Sequence, residues 1–139
     1  MKISAKIDYA CRAILELALH WPNQRPLPIS HIARRQHIPI KFLIHILINL
    51  KQLGLVQSVR GKEGGYTLAK APQEINLLEI FKNFSETERS TQHHSKRNIV
   101  LDFIWLGIKD QAYKAMLGTN FEEIANRGRA LEKTVSFEI

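Results

Sequence analysis

The sequence predicts a mainly α domain that carries one small β-hairpin and ends in a long helix. Three observations predict it. Apolar residues recur at helical spacing over several separate stretches. A glycine-rich, charged turn, Arg60-Gly61-Lys62-Glu63-Gly64-Gly65, stands between two short strand-like runs. Beyond residue 98 the chain carries an apolar surface too broad for a helix with one buried stripe. The chain has 139 residues, 45% hydrophobic and 24% charged, which suits one domain with a real core and excludes disorder and fibre.

Ser4 is placed to cap a helix over 5–20, on which Ile7, Cys11, Ile14 and Ala18 form one face. Trp21-Pro22 through Pro26 stops it. Ser30 then caps a short helix over 31–36. His37-Ile38 is a tight connection, and Pro39 pre-sets the first turn of a helix that runs to about 53. Leu43, Ile46, Leu47 and Leu50 form its buried face, and Gly54 supplies the left-handed residue that ends it. Two short helices so joined make a helix-turn-helix. Residues 55–59 and 66–69 are the strands of a hairpin, and a hairpin directly after a helix-turn-helix is the wing of a winged helix.

Ala71-Pro72 breaks the chain, and the pair Asn76 and Glu79 opens a helix over 77–84. Residues 85–98 are polar and read as a loop. A long helix follows over 99–117. Thr119-Asn120-Phe121-Glu122 opens a last helix to about 126, ended by Gly128, with the tail to 139 either strand or irregular. The organisation is therefore a winged helix-turn-helix over 1–84, a loop over 85–98, and a dimerisation helix with a C-terminal helix or tail over 99–139. On the long helix Leu101, Ile104, Trp105, Ile108 and Ala112 call for burial against both its own domain and a second copy of the chain. The alternative is a helix buried within a monomer.

Charge points to a partner. Residues 1–70 hold 11 basic and 3 acidic residues, a net of +8, whereas residues 71–139 hold 9 and 10, a net of −1. A cationic lobe on a near-neutral remainder suits a polyanion, above all double-stranded DNA. In a winged helix the second helix enters the major groove, which places Lys41, Phe42, Ile44 and His45 at base edges. Ile44 lies off the buried face, so it meets a thymine methyl, or else packs against the first helix or against nothing. Arg60, Lys62 and the glycines at 61, 64 and 65 suit close approach to phosphate or a narrow minor groove. Ser30, at a helix start, and Lys2 and Lys6 suit phosphate contact.

Other classes are excluded. Six histidines at 20, 31, 37, 45, 93 and 94 form no triad spacing, and no phosphate-binding loop or metalloprotease motif occurs, so no enzyme is expected. No apolar run approaches 18 residues, so no membrane partner is expected. Charges at Asp8, Arg12 and Glu16 exclude a signal peptide, and a single cysteine fits the reducing cytoplasm. On the buried stripe that cysteine, Cys11, reads as a small core hydrophobe, and nearby Asp8 opposes a reactive thiolate.

Several segments together resemble one family: Met1-Lys2-Ile3-Ser4, Tyr9-Ala10-Cys11-Arg12-Ala13, Leu17-Ala18-Leu19-His20, Leu53-Gly54-Leu55-Val56 and Val59-Arg60-Gly61 with Gly64-Gly65-Tyr66 and Leu68-Ala69. They are similar to the Rrf-two family of bacterial winged-helix regulators, which includes an iron–sulfur cluster regulator, a nitric-oxide-sensitive repressor and a cysteine-metabolism repressor. The resemblance covers residues 1–84 and extends to the remainder in layout. It implies a homodimer crossed through the long helix, a palindromic operator, and DNA-facing positions at Lys41, Phe42, Ile44, His45 and Arg60. Ile44 departs from the acidic residue often found there. Cluster-binding relatives carry three cysteines in the loop and the start of the long helix, and residues 84–106 contain none. No cofactor is therefore expected. The alternatives are an atypical iron–sulfur or redox site using Asp8, Cys11 and His93 or His94 across a dimer, and an interaction module that has lost DNA binding. The sequence names no effector.

Overall fold

The computed structural model describes residues 1–23, 25–86 and 98–138. The fold is a mainly helical winged helix with a two-stranded wing. In order it contains α1 (Ala5–Leu19), α2 (Ile29–Gln36), α3 (Ile40–Gln52), β1 (Val56–Val59), β2 (Gly65–Leu68), a 3-10 turn (Pro72–Glu74), α4 (Leu77–Phe84), α5 (Ile99–Leu117) and α6 (Phe121–Glu138).

α1 starts where Ser4 Oγ accepts from the Ile7 amide at 3.2 Å. Its small and branched residues Ile7, Ala10, Ala13, Ile14, Leu17 and Ala18 are buried, and α2, α3, α4, α6 and β2 all pack around it. Cys11 lies at the edge of this stripe, half-buried. α3 buries Leu43, Ile46, Leu47 and Leu50, as its spacing predicts. It ends in a Schellman turn: Gly54, at φ 74°, donates to Lys51 O at 3.0 Å, and Leu55 donates to Leu50 O at 3.0 Å. Leu50 and Leu55 are both fully buried, which supplies the apolar contact of that motif.

The wing is antiparallel, with Val56 opposite Leu68 and Val59 opposite Gly65. A single bridge adds a third line of backbone: Leu27 and Tyr66 exchange two hydrogen bonds of 2.9 Å. A second bridge stitches the start of α4 to that of α6, because Leu77 donates to Thr119 O at 2.8 Å and Phe121 donates to Ile75 O at 3.0 Å. Asn76 and Asn120 cap those two helices, accepting from Glu79 and Glu123 at 2.9 Å each.

Two expectations are corrected. Ser30 does not cap α2. Pro28 holds that position at φ −59°, its carbonyl accepting from His31 and Ile32, so Ser30 is an exposed residue inside the first turn. Nor does Gly128 end the last helix. α6 runs on to Glu138, because one interior glycine costs only about 1 kcal/mol and α6 is tied to α1 on either side of it. Phe121 and Ala125 are buried, and Arg129 donates to Leu19 O at 3.0 Å, satisfying a terminal carbonyl of α1.

Candidate nucleic-acid interface

α3 has two faces. Its buried side grips α1, and its other side presents Ile40, Lys41, Phe42, Ile44, His45 and Ile48 to solvent. Ile44 is 40% exposed, so it does not pack away against α1. Phe42 is also exposed, with its ring 6.2 Å from that of Tyr9. Ile40 and Ile48 were not among the expected contacts. The period that put Lys41 and Ile44 outside also reaches Ile48, so this one was readable.

Arg60, Gly61 and Lys62 are exposed at the wing tip. Gly61 takes φ 121° with no described atom within 4 Å of a β-carbon built there. Gly64 donates to Gly61 O at 3.0 Å, and a β-carbon on Gly64 would stand 2.2 Å from Val59 O, so the tip closes only with glycine there. Lys51, in the last turn of α3, donates to Ser58 Oγ of β1 at 2.7 Å. Lys2 and Lys6 are exposed before and at the start of α1.

α5 is unlike the other helices. None of its residues is buried, although many are large and apolar: Ile99, Val100, Phe103, Trp105 and Leu106 are each more than 60% exposed. Of the expected dimerisation residues, Leu101, Ile104, Trp105 and Ile108 are exposed and Ala112 is half-buried. Its C-terminal end packs on the body, where Tyr113 and Met116 meet the core and the Tyr113 ring lies 5.9 Å from that of Phe81.

Of the expected sensor residues, Asp8 and Cys11 lie among the described residues. Asp8 pairs with Arg12 at 2.8 Å, and Arg12 also donates to Gln36 O at 3.1 Å. Burial, then the Asp8 charge, pushes the Cys11 thiol up to about 12. His93 and His94 lie outside the described residues.

Residues 3–127 match the Rrf2 family, described as an iron-dependent transcriptional regulator. The chain belongs to the Rrf2 family. It is 36% identical over 115 residues to a Synechocystis protein named as an HTH-type transcriptional regulator, slr0846, covering 82% of this chain and 78% of the relative. It is 29% identical over 138 residues to the HTH-type transcriptional regulator IscR of Photorhabdus laumondii, covering 95% and 84%. Among solved structures, IscR of T. potens superposes with a TM-score of 0.78 at 26% identity over 92% of this chain and 88% of that one. CymR, the global cysteine regulator of B. subtilis, gives 0.79 at 25% identity over 91% and 98%. This Rrf2 chain is thus a transcriptional regulator on a winged-helix DNA-binding fold, in a family whose members are named regulators rather than enzymes.

The family's description names iron. The residues here do not fit an iron–sulfur cluster. Ligation needs several soft thiolates. This Rrf2 protein has one cysteine, and its thiol is held protonated.

Proposed function

We propose that two copies of this Rrf2 chain associate through α5 and read a two-fold symmetric operator in double-stranded DNA. α3 lies in the major groove, and the wing reaches the adjacent minor groove. Lys41 and His45 meet guanine or phosphate, Ile44 meets a thymine methyl, and Phe42 flanks them. Arg60 enters the minor groove, and Lys62 with the glycines 61, 64 and 65 tracks the backbone. Ser30, in the first turn of α2, and Lys2 meet phosphate. The protein works in the cytoplasm, where the chromosome is, and represses where its operator overlaps a promoter.

The observation that carries this reading is the outer side of α3. A helix anchored by four fully buried aliphatics exposes cationic and apolar groups together, beside a cationic, glycine-closed hairpin. α5 supports the dimer, because a contiguous apolar face of this size needs cover in water.

Selection of bound fragments from a genomic library, followed by affinity measurement at two salt concentrations, tests it. One symmetric motif is expected. Each lost phosphate contact lowers the salt slope by about 0.9, so Arg60→Ala with Lys62→Ala in both protomers lowers it by up to about 4. Equal affinity for all duplexes, or a slope unmoved by the double variant, overturns the reading and favours an interaction module.

A further inference from the structure

The most unusual polar group of the protein plays no part in the DNA-facing surface. Glu16 sits on the inner side of α1, and its side chain is 1% exposed. A lone buried carboxylate is costly unless each oxygen finds a partner. One oxygen is provided for: Gln36 donates to Oε2 at 2.6 Å. The other, Oε1, accepts no hydrogen bond among the described residues.

Three groups approach Oε1 without closing on it. His20 Nε2, one turn further along α1, stands 3.5 Å away. His31 Nε2, brought in by α2, also stands 3.5 Å away, and it too is buried with no hydrogen-bond partner among the described residues. Arg35 Nε is 3.6 Å away on a half-exposed side chain, whose other end is 3.9 Å from Glu132 of α6. A charge-assisted hydrogen bond closes to about 2.7–2.9 Å, and none of these does. Two orphaned lone-pair atoms, a carboxylate oxygen and an imidazole nitrogen, therefore face one another with a second imidazole beside them.

The spacing suits an ion. A tetrahedral site with metal–ligand bonds of about 2.1 Å has donor–donor edges of about 3.4 Å. Both Oε1-to-Nε2 distances already match such an edge, and all three donor atoms lie within 4.8 Å of one another. The donor set is two imidazoles and one carboxylate, the chemistry of a borderline divalent cation. Gln36 supplies the outer support that orients the carboxylate. His20 and His31 are partly exposed, which leaves an entry path and a fourth position for water.

We propose that Glu16, His20 and His31 form a binding site for one divalent transition-metal cation of the zinc(II) class. The ion displaces Arg35 toward Glu132 and joins α1 to α2, the first helix of the helix-turn-helix. Its donors are distinct from the thiolates that hold a cluster in relatives. The inference does not rest on the operator reading, because the free protein suffices to test it.

Tag-free full-length protein is stripped with chelator, dialysed against zinc(II), and its bound metal counted. Cobalt(II) then reports geometry through its visible absorption. The expected result is one zinc per chain and a tetrahedral cobalt spectrum that zinc abolishes. His20→Ala and His31→Gln weaken zinc binding by roughly tenfold or more, while His93→Ala with His94→Ala leaves it unchanged. Circular dichroism confirms the fold of each variant, and the half-exposed His20 keeps the test sound if Glu16→Gln fails to fold. A wild-type chain that retains no zinc overturns the site. So does zinc binding untouched by the His20 and His31 variants, or lost only with His93 and His94. In those cases the imidazoles serve as plain ion-pair partners of Glu16.

Discussion

Gly65→Ala isolates the contact that holds the wing against the body. A β-carbon at Gly65 would stand 2.2 Å from Leu27 O, 2.4 Å from Leu27 C and 2.7 Å from Pro28 N. These are backbone atoms with no flexible end to swing aside, so the two segments must part by about 1 Å to reach ordinary contact distance. That movement breaks both 2.9 Å hydrogen bonds between Leu27 and Tyr66. Two backbone hydrogen bonds contribute about 2 kcal/mol together. Opening the cover over Leu27, now 8% exposed, adds about 1 kcal/mol. The positive φ of 157° at Gly65 adds about 1 kcal/mol more, so the total is about 4 kcal/mol, a large part of a typical domain's 5–15 kcal/mol. Urea unfolding at fixed chain concentration reads it: with a slope of about 2 kcal/mol per molar, the midpoint falls by about 2 M. Gly61→Ala is the control. Its positive φ carries the usual cost of about 1 kcal/mol, and its β-carbon meets no described atom. Equal midpoints for the two variants would refute the close-approach argument.

Three more outcomes follow from the same geometry. Trp105→Lys weakens self-association by roughly 100-fold, about 3 kcal/mol, while helix content persists because Trp105 is 63% exposed within the chain; sedimentation velocity against circular dichroism checks this. Ile44→Ala loses discrimination between thymine and uracil at the base it faces, about fourfold for one methyl, read by competition with uracil-substituted operators. At pH 8 Cys11 resists iodoacetamide in the folded chain and reacts once urea unfolds it, because its thiol titrates at about 12. The linkage has a definite sign. Below about pH 9 both states keep the thiol proton; above it the unfolded chain loses that proton first, so stability falls as pH rises toward 12.

Much of this was legible from local rules. Ser4, Asn76 and Gly54 mark ends of α1, α4 and α3, because caps and left-handed residues act within one turn of chain. The two faces of α3 follow from period alone, so Ile44 and His45 are exposed as expected. One miss is local, since Pro28 rather than Ser30 begins α2, and the rest come from contact between distant segments. Leu27 stands alone between Pro26 and Pro28 with no strand pattern around it in the sequence, yet Tyr66 recruits it as a strand-like partner. Gly128 reads as a stop, yet packing against α1 carries α6 past it. Glu16 and His20 share a helical face in the sequence, but His31 joins them only once α2 crosses α1.

The tether from Lys51 to Ser58, set on the tight turn at Gly54, ties α3 to the hairpin across the turn between them. In the proposed dimer, a signal that alters affinity therefore acts on the span between the two copies rather than within one helix-and-hairpin unit, and the short stretch 118–120, which links α5 to the stitched starts of α4 and α6, lies on that route.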